Sequence, residues 1–190
     1  MLALGLDIST SCTGWCIIEF DQLKSTVTSM SIGALRLDNI EKTYQKANFV
    51  RDFFLSVKTR NFDKIFIEEN LQSFSSGLSS AQTLVTLARF NGIVSYISED
   101  VLGVSPTFIN VNIARNSLGL KTIKEKVSGI PLKEQVHNWV KNDHIRRNLT
   151  VEWPTKCLKS GSRKGQVILD SSAFDMSDAY VIAMAGLIAL

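Results

Sequence analysis

The stretch Leu2-Ala3-Leu4-Gly5-Leu6-Asp7-Ile8-Ser9-Thr10-Ser11-Cys12-Thr13-Gly14-Trp15 decides how this chain reads. It opens as a short apolar strand interrupted by a carboxylate at Asp7. The small residues Ser9 to Thr13 suit a tight turn. Apolar residues resume from Gly14 to Phe20, and Ser25 to Leu37 alternates imperfectly, with Gly33 expected to mark a bulge. Three strands joined by short turns predict an antiparallel meander. Asn39 then opens a helix to about Lys58, in which Ile40, Tyr44, Ala47, Val50, Phe54 and Val57 recur at helical spacing. Lys64 to Glu68 reads as a buried strand. A strand reached through a helix normally runs parallel to a predecessor, through a right-handed crossover.

Further along, Ser79 to Ser98 forms a second helix whose apolar set covers more than one face. It is expected to pack on its own sheet and on a second subunit. Pro106 to Val111 reads as a strand, Asn112 opens a short helix, and Pro131 to Lys141 forms another. Arg146 to Gln166 reads as a long basic surface loop broken by Gly161 and Gly165. Asp175 to Leu190 closes the chain as a helix. The order predicts an α/β fold, a central mixed sheet of antiparallel meander plus parallel strands flanked by helices, as one domain over 1–190.

Of the 190 residues 45% are apolar and 21% charged, which excludes a disordered chain, a coiled coil and a collagen-like fibre. Lys and Arg (21) exceed Asp and Glu (18) by three, so overall charge names no partner. The charge is uneven, however: Lys141 to Lys164 holds seven basic residues against two acids, a pattern suited to a polyanion. The longest apolar run, Ala179 to Leu190, has 12 residues. Spanning a bilayer takes roughly 20, and no basic leader precedes the first apolar stretch. A cytoplasmic protein with no membrane partner is expected. The odd count of Cys12, Cys16 and Cys157 suggests a reducing compartment, and no second Cys/His pair completes a zinc site. The three read as small apolar fillers, and His137 and His144 as surface residues.

Four acids stand where a soluble core does not ordinarily put them. Asp7 interrupts the first strand, and Glu68 ends Ile65-Phe66-Ile67. Asp175 and Asp178, three apart at the start of an apolar helix, share one face. Each has a bland explanation: a turn cap for Asp7, a solvated strand end for Glu68, and the macrodipole preference of a helix start for the two aspartates. Together they make a stronger case. Converging carboxylates repel one another unless a cation sits among them, and an all-oxygen donor set selects a hard ion such as Mg²⁺ or Mn²⁺.

Leu4 to Trp15, followed by Phe66-Ile67-Glu68-Glu69-Asn70 and Asp175-Met176-Ser177-Asp178-Ala179-Tyr180, resembles the RuvC family of Holliday-junction endonucleases. The likeness follows element order over nearly the whole chain. It implies an RNase H-like fold, Mg²⁺-dependent cleavage of branched DNA (four-way junctions or forks), a homodimer, and catalytic acids at Asp7, Glu68, Asp175 and Asp178. In such a site Asp7 would bridge, Glu68 and Asp178 would flank it, and Asp175 would ligate or orient water. Gly129 to Trp139 resembles the family stretch that carries an active-site lysine, here Lys133. Lys121, Lys124 and Lys126 would hold phosphates, and Arg163 and Lys164 a further duplex arm.

The chain departs from the family pattern in three places. Asn112 to Gly129 is longer than its counterpart, and so is Arg146 to Gln166, which points to a phage-type or otherwise divergent member. The family places a stacking aromatic after its Glu motif, where this chain has Leu71, with Phe74 the nearest aromatic. Two other classes compete. A YqgF-like RNA nuclease shares the fold and the acids. An actin-like ATPase also opens on Asp and hydroxyl residues, but needs two related domains and a later Gly-rich phosphate loop.

Overall fold

The computed structural model describes residues 1–69 and 81–189. Strand β1 (Leu2–Ile8) pairs antiparallel with β2 (Cys12–Asp21), which pairs antiparallel with β3 (Thr26–Arg36). Helix α1 (Thr43–Val57) crosses over to β4 (Lys64–Glu68), parallel to β1. Helix α2 (Ala81–Leu102) leads to β5 (Thr107–Ile109), parallel to β4. Among the described residues the sheet order is β3-β2-β1-β4-β5. This is the predicted mixed sheet flanked by helices.

Strand β1 is apolar almost throughout because both of its faces are covered. Leu4, Leu6 and Ile8 join Ile17, Ile65 and Ile67 in one core under α1 and α2. On the opposite face Ala3 joins Cys16, Ile18 and Phe66 under the last helix, α6 (Ser172–Ile188). That helix is apolar nearly all round because α5 (Leu132–Arg146) covers its outer side. No described helix is long and apolar enough to cross a membrane.

The approach of α6 to the sheet is set by missing side chains. A Cβ on Gly5 would lie 2.5 Å from the Ala179 carbonyl oxygen and 2.6 Å from the Ala183 Cβ. One on Gly14 would fall on the Asp175 carbonyl, and one on Gly186 would meet the Phe66 ring at 2.5 Å. Bare glycine on β1 and β2 therefore lets the α6 backbone rest on the strands. Its first turns reach the end of β1 as a result.

Several expectations shift. The register irregularity falls between Glu19 and Phe20, not at Gly33. Gly33 instead lies under the Trp15 ring, 2.5 Å from where its Cβ would be. Helix α5 runs on to Arg146, and the basic loop after it contains a hairpin, β6 (Thr155–Cys157) with β7 (Val167–Leu169). His137 and His144 are buried, not exposed. Both sit on the inner face of α5, in a polar sequence where an apolar stripe is hard to see. The His137 ring packs edge-on to Trp153 at 4.5 Å, and His144 packs edge-on to Tyr180 at 4.5 Å.

Overpacking a tight contact costs about 1–3 kcal/mol, or roughly 2–4 °C in Tm per kcal/mol at this chain length. Gly14→Ala is therefore expected to lower Tm by about 2–12 °C in a circular-dichroism melt. Gly92→Ala, on α2 with open space at its Cβ, is expected to hold or raise it. Equal Tm values for the two variants would mean that α6 does not rest on β2 at Gly14.

Candidate active site

The β1–β4 pairing runs through Leu6 and Ile67, so the next residues, Asp7 and Glu68, stand side by side on the α6 face of the sheet. Glu69 faces the other way, and Asn110 Nδ2 donates to its Oε2 at 3.4 Å. Asn91 on α2 donates to the Glu68 carbonyl at 3.4 Å, which fixes the strand end. Helix α6, seated on Gly14, brings Asp175 and Asp178 to the same edge. The sheet and one helix thus bring all four predicted acids together.

The electrostatics record the crowding. Burial, then the carboxylates of Glu68, Asp178 and Asp175, hold the Asp7 carboxyl well above its usual range, against a pull from Lys133. Glu68 is pushed up to about 7 by burial and by Asp178. Burial raises Asp178 as well, offset by Arg115 and Lys133, and burial also raises Asp175. Lys133, on the first turn of α5, makes no direct ion pair among the described residues, yet its charge acts on all four acids.

Two members of the site escaped the sequence. Arg115, on α3 (Val111–Ser117), donates to Asp178 at 3.2 Å; the pair is largely buried, and the arginine Nε has no partner. A cation on the helix that follows β5 was the available signal, because β5 ends at the same sheet edge as Glu68. Cys12 is not a plain apolar filler. Burial and the neighbouring Asp175 raise its thiol, which hydrogen-bonds the Asp175 carboxylate. The Ser9 hydroxyl before it is self-satisfied: Ser9 Oγ donates to the Cys12 carbonyl at 2.7 Å and accepts from the Cys12 N–H at 3.1 Å.

The remaining predicted residues lie outside this cluster. Lys121, Lys124 and Lys126 are exposed on the α3–α5 connection, around α4 (Glu125–Ser128). Arg163 and Lys164 are exposed in the β6–β7 connection. Phe74 and Leu71 lie outside the described residues. Three cations of the basic stretch are spent internally, Arg146 and Arg147 on Asp143 and Lys156 on Asp170.

The donor set suits a hard divalent cation in kind and in charge. As the side chains stand, no three Asp, Glu, His or Cys among the described residues converge closely enough to hold an ion. Arg115 occupies one oxygen of Asp178 and carries part of the neutralising charge.

No protein-family model and no curated protein sequence matches the chain. Solved structures do. Thermus thermophilus RuvC aligns over 99% of this chain and 94% of its own, at TM-score 0.60 and 15% identity. The same enzyme in complex with a Holliday junction substrate gives 0.61 and 14% over the same shares. The fold is RuvC-like. Fowlpox virus resolvase with Holliday junction DNA aligns over 98% of this chain and 97% of its own, at TM-score 0.51 and 12% identity. At such identities the likeness to RuvC establishes the RNase H-like architecture, and the chemistry has to be argued from the acids.

Glu68 offers a direct check of the crowding. A carboxyl whose folded pKa is raised gives stability that is full below its unfolded value, 4.5, and lost as pH rises through about 7. His144, held down to about 4 by burial, works in the opposite sense over the same range, so wild-type melts alone mix the two. The difference between Glu68→Gln and wild type isolates the acid. In chelator it is expected to be near zero at pH 4.5 and to favour the variant by roughly 5 °C at pH 8, after discounting for solvent screening. A difference that does not change with pH would remove Glu68 from the carboxylate cluster.

Proposed function

We propose that the protein is a metal-dependent, structure-selective endonuclease that hydrolyses a phosphodiester in branched DNA such as a four-way Holliday junction. The observation that carries this reading is the convergence of Asp7, Glu68, Asp175 and Asp178 at one edge of a RuvC-like sheet. The RuvC and poxvirus structures that share the architecture were solved with Holliday junction DNA. Bound Mg²⁺, or Mn²⁺, supplies activation of water and stabilisation of the leaving oxygen in an in-line displacement. Asp7, which feels the charges of all three other acids, would hold the ion together with Glu68 and Asp178. Asp175, steadied by the Cys12 thiol, ligates or orients the attacking water. Arg115 balances Asp178 until a cation arrives. Lys133 meets the scissile phosphate.

Sequence-independent affinity would come from exposed cations with no ion pair among the described residues: Lys121, Lys124 and Lys126 before α5, and Arg163 and Lys164 in the hairpin connection. The hydroxyl turn after β1 favours a nuclease over an ATPase, because the Ser9 hydroxyl is already committed to its own loop. A YqgF-like RNA nuclease would use the same acids, so an RNA hairpin belongs among the substrates tested. Three free cysteines, two of them buried, suit the reducing cytoplasm of a cell or of a phage host.

Cutting two strands at one junction takes two sites, and a homodimer through α2 would provide them. Val85, Ala88 and Tyr96 recur along one exposed face of that helix, opposite buried Phe90, Val94 and Ile97.

The direct test is cleavage of a labelled four-way junction with and without Mg²⁺, beside linear duplex and RNA hairpin. Asp7→Asn keeps shape and removes one ligand charge; cleavage is expected to fall at least about a thousandfold, the scale of a lost transition-state charge contact. Junction binding by gel shift is expected to hold or tighten. Mg²⁺-dependent cutting retained by this variant would sink the site assignment.

The dimer has its own check. Ala88→Glu is expected to yield folded monomers by light scattering, with an unchanged circular-dichroism spectrum and nicking of single strands in place of paired cuts. A variant that stays dimeric would move the interface off α2.

A further inference from the structure

Between α3 and α5 the chain makes an excursion around the short α4, and one side chain pins it. Gln135, on the first turn of α5, accepts from the Ile123 N–H at 2.9 Å. Its Nε2 lies 2.8 Å from the Ile123 carbonyl, 2.7 Å from the Ile130 carbonyl and 3.1 Å from Ser128 Oγ. Gly129, at φ 68°, closes the short helix between them. Both ends of a loop, Ile123 and Ile130, are thereby gathered at a single amide.

What this pinned loop displays is apolar. Val127 is 77% exposed and Ile123 55%, with Ile130 and Leu132 also open to solvent. Lys121, Lys124 and Lys126 stand among them, against a single acid, Glu125. The loop runs through Pro131 into Lys133, whose charge acts on all four site acids. An ordered apolar cluster held out to water marks a contact surface. The surrounding cations and the adjoining acid site favour nucleic acid over protein as the occupant. Phosphates offer nothing to branched aliphatic side chains, whereas the faces of bases do. In a continuous duplex stacking covers those faces, and at a branch point the stack is broken.

We propose that the 123–130 loop, pinned by Gln135, sets its isoleucine and valine side chains against unstacked bases at a DNA branch point while the three lysines take flanking phosphates. This rests on the nuclease reading above and names the feature of the substrate that the site selects.

The experiment uses the full chain, in chelator so that nothing is cut. A four-way junction carrying 2-aminopurine beside the crossover is compared with a linear duplex of the same sequence. The variants are Ile123→Ser with Val127→Ser, and separately Ile130→Ser, all at exposed positions and each checked by a thermal melt. Wild type is expected to prefer the junction and to brighten the 2-aminopurine. The double variant is expected to bind the junction roughly tenfold more weakly, the scale of one lost base contact. Duplex affinity and the salt slope should be unchanged, and the fluorescence rise lost. Unchanged junction affinity and fluorescence would overturn the proposal, as would an equal loss on both DNAs. A variant that also changes its oligomeric state by light scattering would reassign the loop to self-association. A wild type with no junction preference would overturn the nuclease reading itself, a result distinguishable from failure of the loop alone.

Discussion

The backbone of α6 rests on bare glycine at Gly5 and Gly14, and the chemistry of the molecule depends on that contact. A methyl group at either place would have to displace a carbonyl oxygen of the helix, with no flexible side-chain end to absorb the clash. Lifting α6 would carry Asp175 and Asp178 away from Asp7 and Glu68. The same close approach crowds the four carboxylates, Asp178 buried and the other three half-buried, and this raises their proton affinities. One packing constraint sets both the geometry and the electrostatics of the site.

That arrangement works against folding. Four acids whose burial favours the neutral form make the ion-free protein less stable at neutral pH than an apolar edge would. The fold offsets this with Arg115 and Lys133 beside the acids and with a second polar cluster farther along α6. There Asp143 accepts from Arg146 at 3.0 Å, Arg147 at 2.8 Å and Tyr180 at 2.5 Å, and it is held below the usual carboxylate range. Its stability is present above its ordinary pKa and lost as pH falls through the lowered value, the reverse of the site acids. His137 Nδ1, 2.9 Å from Ser177 Oγ, adds a bond between α5 and the segment joining Asp175 to Asp178. Lys133 lies one turn before His137 on the same helix, so this bond also fixes where its charge falls.

Much of this was legible in the residue order. The meander, the parallel crossovers and the four acids follow from strand-ending carboxylates and helical spacing, because those are local properties. The parts that were not legible depend on distant partners. Arg115 reads as one more surface cation until β5 is seen to lie beside β4. Cys12 reads as a filler until α6 brings Asp175 to it. His137 and His144 sit in a helix with few apolar residues, and only the packing of Trp153 and Tyr180 shows which face is inside. Gly33 shows the same limit in a strand: a glycine signals that something is close, but not whether it is a bulge or the ring of Trp15.

Charge placement separates two kinds of recognition. Of the basic stretch, Arg146, Arg147 and Lys156 hold the protein's own carboxylates and contribute stability, leaving Lys141, Lys159, Arg163 and Lys164 without ion pairs among the described residues. Arg163 and Lys164 sit in the hairpin connection, where, on the nuclease reading, a contact to phosphate would add affinity for any duplex. Lys133 lies beside the acids and the pinned loop leads into it, where, on the same reading, a contact would bear on which phosphodiester is presented for cleavage. A nuclease of the proposed kind would be served by that separation. Salt would then act through the cations of both segments, and selectivity would depend on a short loop whose shape one glutamine maintains.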